Sequence, residues 1–446
     1  MNKKVNAFFL APGLITACCA VCSCSNGTPE KNTYTDTSIE KETELLTSEE
    51  DLNALMSRSD DGIVDWQLSR EFAEMTLEDY TADGDFPEDA ELWQIPIAIY
   101  DASGEIRYYE FRVVSGGKVI GAVAGNAKEK YGCPVARIFP MDGYMDSLNE
   151  LYASGALARN DIPRIVDNDY PSYAVAAVSV SRGGNITAEK IIDPGTGDVI
   201  TDLAHVMNAD EAVAAYPDML SEQEKTTILQ ENASYTEDMN ALWSMAKANK
   251  GNLNNFTFRG KRKSPRKSVD SGRIANAFIE AHRDGIGKKS APRTYGPCGF
   301  TAAGFILDFL AGNNIDARTW KGLSHDKKKS IMTDYMNPVS IGNGMAVFPA
   351  DLDNAIIIFS RYRLSWTLTV PKECINSNLP GISLRAVKDN DWEGGFHYRN
   401  VVAYDEKGWW IFTWPEMKIL DGNGIDGGWE TYTPFYNLAS YNLVKK

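Results

Sequence analysis

The chain has 446 residues and a formal net charge of −16 at pH 7, enough length for two or three domains. With 43% apolar and 24% charged residues it is globular, not fibrous or wholly disordered. Its acidity excludes general nucleic-acid binding, which rests on basic contacts to phosphate, and no stretch after the first twenty-odd residues is apolar enough to span a bilayer.

The first segment opens with two lysines before Val5 and continues as a short apolar run to Val21, broken by Pro12 and Gly13. A basic start and a short apolar stretch make an export leader, too short for a membrane helix. Cys18, Cys19, Cys22 and Cys24 follow within it. Two frames, Ile15-Thr16-Ala17-Cys18 and Val21-Cys22-Ser23-Cys24, resemble a bacterial lipoprotein signal. The resemblance implies a leader over 1–23, a lipidated cysteine, and a protein anchored in the bacterial cell envelope, at the outer membrane or facing the periplasm. Cys24 is the preferred lipidation site, since Ser25-Asn26-Gly27 begins a polar stretch directly after it; Cys18 is the other. Residues 24–60 are rich in Thr, Ser, Glu and Asp and read as a polar tether, with one short helix over 45–56.

Residues 61–250 read as an acidic α+β domain. A helix covers 70–75. Strands at 92–100, 107–114 and 118–123, joined by turns at Ser103-Gly104 and Gly116-Gly117, predict an antiparallel meander. A second strand-rich stretch runs from 173 to 200, with helices at 141–158 and 210–248. His205 stands alone there and reads as structural.

Charge divides the chain. Residues 251–446 carry 26 Lys+Arg against 19 Asp+Glu, which leaves 19 against 42 in residues 1–250. Such asymmetry marks two units of different character, and opposite signs favour docking of one half on the other. Between them, Arg259, Lys261, Arg262, Lys263, Arg266 and Lys267 surround Pro265. Residues 251–270 therefore read as an exposed basic linker open to trypsin-like cleavage.

The chemistry lies in residues 271–446. Of the seven cysteines, only Cys133, Cys298 and Cys374 lie beyond the leader and the lipidation candidates, too few for a four-cysteine zinc site, and no metal or other cofactor is expected. Cys133 and Cys374 could pair, leaving Cys298. Tyr295-Gly296-Pro297-Cys298-Gly299 precedes an apolar helical pattern ending at Gly312-Asn313-Asn314, so Cys298 falls in the first turn of a buried helix. The helix dipole and the unbonded N–H groups of that turn favour thiolate. A thiolate nucleophile needs a proton partner. His282 and His325 lie in charged settings. His397 follows Gly394-Gly395-Phe396 and opens an aliphatic strand, a turn is expected at Asp405-Glu406-Lys407-Gly408, and Trp409 to Trp414 returns as the second strand.

Cys298-Gly299-Phe300-Thr301-Ala302, followed 99 residues later by His397 at the start of a hairpin, resembles the papain-like cysteine peptidases, in their streptopain-like and bacteriocin-leader-peptidase-like branches. The resemblance covers about residues 270–446. It implies an α+β fold in which a helix bearing Cys at its N-terminus packs on an antiparallel sheet. It implies cleavage of a peptide or protein substrate through a Cys298–His397 acyl-enzyme mechanism, and casts residues 61–250 as an inhibitory pro-domain. Tyr295, Gly299, Gly395 and Trp414 are cleft-lining candidates. The family's oxyanion-binding Gln has no counterpart in 291–297. The residue that orients the His is unassigned, with Thr413 and Glu416 nearest the expected place. An inactive relative acting as an envelope peptide- or glycan-binding module is the alternative.

Overall fold

The computed structural model describes residues 37–57, 62–101, 103–168, 173–180, 186–200, 203, 205–215, 220–253, 259–277, 297–324, 327, 328, 330, 334, 339–341, 344–347, 349–389, 392–409, 412–420 and 426–446. Cys18, Cys24, Tyr295, His282 and His325 lie outside these residues, as does the expected leader over 1–23. No described helix is long and apolar enough to cross a membrane.

The fold is mixed α and β, organised around one large, mostly antiparallel sheet. The first half supplies β1 (Glu91–Leu92), β2 (Ile97–Tyr100), β3 (Ile106–Ser115), β4 (Lys118–Asn126), β5 (Val135–Phe139), β6 (Ile162–Asp167), β7 (Tyr173–Val180), β8 (Ile186–Ile192) and β9 (His205–Val206). Then come β10 (Arg259–Ser268), β13 (Tyr362–Thr367), β14 (Gly381–Asp389), β15 (Trp392–Trp409), β16 (Phe412–Leu420), β17 (Asp426–Thr431) and β18 (Asn437–Lys445); β11 (Val339–Ile341) and β12 (Gly344–Ala346) form a separate hairpin. The order is β13-β18-β14-β15-β16-β17-β5-β4-β3-β2-β6-β7-β8. Along this path only β2 and β6 pair in parallel.

The expected meander forms where its turn chemistry is explicit. Gly116 and Gly117 both have positive φ, at 56° and 75°, and link Ser115 to its partner Lys118, as a two-residue hairpin turn requires. The two halves then share this sheet instead of docking as separate bodies. At the seam, Trp429 of β17 faces Ile138 of β5 and Glu430 faces Arg137.

Helices cover both faces. On one, α3 (Trp66–Ala82) and α6 (Glu222–Ala248) bury Phe72, Tyr80, Leu242 and Trp243 against Phe111 and Val123 of the first half, and against Trp414 and Trp429 of the second. Reciprocal bonds between Ser221 and Glu224 cap α6 and satisfy its first N–H groups. On the other face, α1 (Thr37–Leu46) and α4 (Met145–Ser154) pack on Ile97, Ile99 and Ala124. In the second half, α8 (Pro297–Gly312) buries Ala302, Phe305, Ile306 and Phe309 against Ile382, Leu384 and Tyr398. Each phenylalanine, isoleucine and leucine among them contributes about 1.5–3 kcal/mol on burial.

Three expectations are corrected. The tether over 24–60 is folded from 37 to 57: α1 and a second helix, Glu49–Ser57, bury Leu46, Leu52 and Leu55. Glu42 of α1 pairs with the buried Arg112 at 3.0 Å, which explains why an acidic segment is ordered. The basic linker is a strand. β10 pairs with β15 from Arg259↔Trp409 to Ser268↔Ala403, and Arg266 stacks over Trp429 at 4.3 Å while reaching Asp83 at 2.9 Å. The turn expected at Asp405-Glu406-Lys407-Gly408 is strand. β15 runs through it to Trp409, which faces Phe412. Its charges find partners on other elements: Asp405 lies 3.6 Å from Arg266, Lys407 lies 3.4 Å from Glu416, and Glu406 pairs with Lys372.

Candidate functional site

Cys298 lies in the first turn of α8, half-buried and in no disulfide. The thiols of Cys133 and Cys374 are buried separately, so the open possibility that they pair is not met. Cys133 lies against Val135 O at 2.9 Å and Cys374 against Pro371 O at 3.1 Å. Burial pushes each thiol up to about 12, which leaves both inert as nucleophiles.

The approach of α8 to β15 is fixed by small groups and hydrogen bonds. A Cβ at Gly299 would stand 3.1 Å from Val347 Cβ and 3.6 Å from Tyr398 Cδ2. Gly299 is thus a packing residue that lets the helix start against the strand. The Tyr398 hydroxyl donates to Val347 O at 2.8 Å, and Asn400 Nδ2 donates to Ala302 O at 3.2 Å. Tyr398 and Asn400 therefore face α8.

His397 does not share that face. β14 and β15 keep an unbroken register from Gly381↔Val401 to Val387↔Gly395, and successive strand side chains leave opposite faces. Arg385, directly across from His397, and Arg399, two residues on, both reach Glu430. Alternation thus assigns His397 to the Glu430 face and gives Tyr398 to Cys298. His397 also lies within β15, five residues from its start at Trp392, not at a strand mouth. Gly395 is a further strand residue, paired with Val387.

The remaining candidates lie elsewhere. Thr413 pairs with Gly408 and Glu416 with Asp405. The latter is eight residues along β15 from His397, about 26 Å at the usual strand rise. Glu416 instead accepts a 2.8 Å hydrogen bond from the Tyr80 hydroxyl. Burial pushes its carboxyl up, and Lys407 and Tyr80 offset this only in part. Trp414 is buried in the α3–α6 core, edge-on to Tyr235 at 5.8 Å. Tyr398 cannot replace the histidine as a base. Burial first, then Tyr441 and Cys298, raise its phenol well above the ordinary value, so it remains a donor.

Sequence reasoning missed the Glu430 cluster. Arg399 grips Glu430 at 2.6 and 3.1 Å, and Arg385 and Arg137 close on the same carboxylate. Burial pushes this carboxyl up, but Arg385, Arg399 and Arg137 together outweigh it and hold it well below the usual carboxylate range. The available signal was an arginine inside each of two apolar strands, Leu384-Arg385-Ala386 and Tyr398-Arg399-Asn400. Among the described residues, no group of three metal-ligating side chains converges. No family model matches the chain, and no curated protein matches it.

Proposed function

We propose that this chain is an exported, lipid-anchored binding module for peptide or glycan, built on a papain-like scaffold that does not carry out peptidase chemistry. One observation supports this reading: in the regular β14–β15 register, the histidine falls on the strand face opposite the helix that bears the thiol. A Cys–His acyl-transfer site needs the two within hydrogen-bond reach. The phenol beside Cys298 is a poor substitute, being buried and committed to a backbone carbonyl.

The competing reading is a cysteine peptidase using Cys298 and His397. What favours it is the position of Cys298 in the first turn of α8, the place the resemblance gives the nucleophile. Labelling with iodoacetamide at pH 6 separates the two. A dyad keeps the thiol ionised and reactive there, and His397→Ala then slows labelling several-fold. The binding reading expects slow labelling at pH 6 and equal rates in wild type and His397→Ala. Rapid labelling that depends on His397 would overturn it. Anchoring is tested by metabolic incorporation of a fatty-acid analogue, expected in wild type and lost in Cys24→Ala. Loss only in Cys18→Ala would assign the other frame, and no incorporation would exclude the anchor.

A further inference from the structure

On the Glu430 face, where β17 meets β5, a cavity of about 30 Å³ is lined by both halves of the chain. Asn126 and Arg137 enter it from one half, and Arg385, Glu430, Thr433 and Tyr436 from the other. Since a buried water needs roughly 10–15 Å³, there is room for about two small occupants.

The lining combines apolar surface with buried polar groups. Thr433 is 4% exposed and Asn126 2% exposed. The hydroxyls of Thr433 and Tyr436 are buried, and neither meets a partner among the described residues; the same holds for Asn126 Oδ1, although Asn126 Nδ2 donates to Cys133 O at 2.7 Å. Leaving such groups dry is costly, so the cavity calls for an occupant. Its chemistry follows from what surrounds it. Two hydroxyls offer O–H donors beside two guanidiniums. Among the described lining residues the carboxylate is Glu430, whose oxygens are both engaged by Arg137, Arg385 and Arg399.

We propose that this cavity binds a small monovalent anion of chloride size. The hydroxyls of Thr433 and Tyr436 donate to it, the guanidiniums of Arg137 and Arg385 supply the favourable field, and a water in the remaining space donates to Asn126 Oδ1. The anion then ties β5 to β17 across the seam. The site lies away from α8, so it stands whichever way Cys298 labels.

The test uses the full folded chain. Its melting temperature is followed in sodium chloride and in sodium gluconate at equal ionic strength, gluconate being too large to enter. The expected result is a saturable rise in Tm with chloride and bromide only, absent in the shape-preserving double variant Thr433→Val, Tyr436→Phe. If that variant does not fold, a bromide soak of wild-type crystals, read by anomalous scattering, decides: a peak beside Thr433 and Tyr436 supports the site. Equal melting temperatures in chloride and gluconate, or no bromide peak in the cavity, mean that it holds water only and overturn the proposal.

Discussion

The two faces of β14 and β15 bury their side chains by opposite means. One presents Ile382, Leu384, Ala386 and Tyr398 to α8 as an apolar layer. The other presents Ser383, Arg385 and Arg399, with Ser383 3.3 Å from Asn437 and both arginines on Glu430. An apolar layer gains stability roughly in proportion to area and loses it in increments. A buried charge cluster is closer to all or nothing, because removing one member strands the others in a medium that cannot solvate them.

The sharpest way to break this comparison is Glu430→Ala. It leaves three guanidiniums buried around a void and should cost about 3–5 kcal/mol, read as a lower urea midpoint. A loss below that of an ordinary surface change would mean that water already screens the cluster. On the other face, Gly299→Ala forces a Cβ against Val347 and should cost about 1–3 kcal/mol by overpacking. It should leave the slope of the urea transition unchanged.

Next in size is pH. Glu430 has a depressed folded pKa, so its contribution is complete above the ordinary carboxylate value and is lost as pH falls toward the folded value. Glu416 has a raised folded pKa. The native state there holds the proton more tightly, and stability falls as pH rises from the ordinary carboxylate value through the folded one. Glu430→Gln should therefore flatten the acid limb of the stability curve, while Glu416→Gln should raise stability at neutral pH relative to wild type. The same sign of change in both variants would show that the two carboxyls are not distinguished as described.

The smallest effect is expected from limited trypsin digestion. Cleavage within 251–270, if it occurs, should release neither half even at high salt, because β5–β17 pairing and the core of Phe72, Trp243, Trp414 and Trp429 hold them together. Fragments that separate on gel filtration would show that the seam is weaker than its burial implies.

What the sequence made legible was local. Gly116-Gly117 announces its own turn, and the apolar spacing of 302, 305, 306 and 309 announces α8. The run Asp405-Glu406-Lys407-Gly408 misleads because its solution is remote: its charges are neutralised by Arg266, Lys372 and Glu416, none of them within the run. Whether His397 or Tyr398 is presented to Cys298 turns on register parity. A shift of one residue moves a side chain to the other face of a strand, and nothing in Phe396-His397-Tyr398 says which of the last two faces the helix.

The seam also bears on how the molecule is made. Arg137 and Glu430 are 293 residues apart in the chain, so the sheet closes through a pairing of high contact order, which is slow to form. Until residues 426–431 have been synthesised and delivered, β5 presents unsatisfied N–H and C=O groups as an open strand edge, the arrangement that invites pairing with other chains. Under the export proposed above, the protein would meet that hazard during translocation. Its yield should therefore depend on whatever keeps the first half from pairing with other chains until β17 arrives.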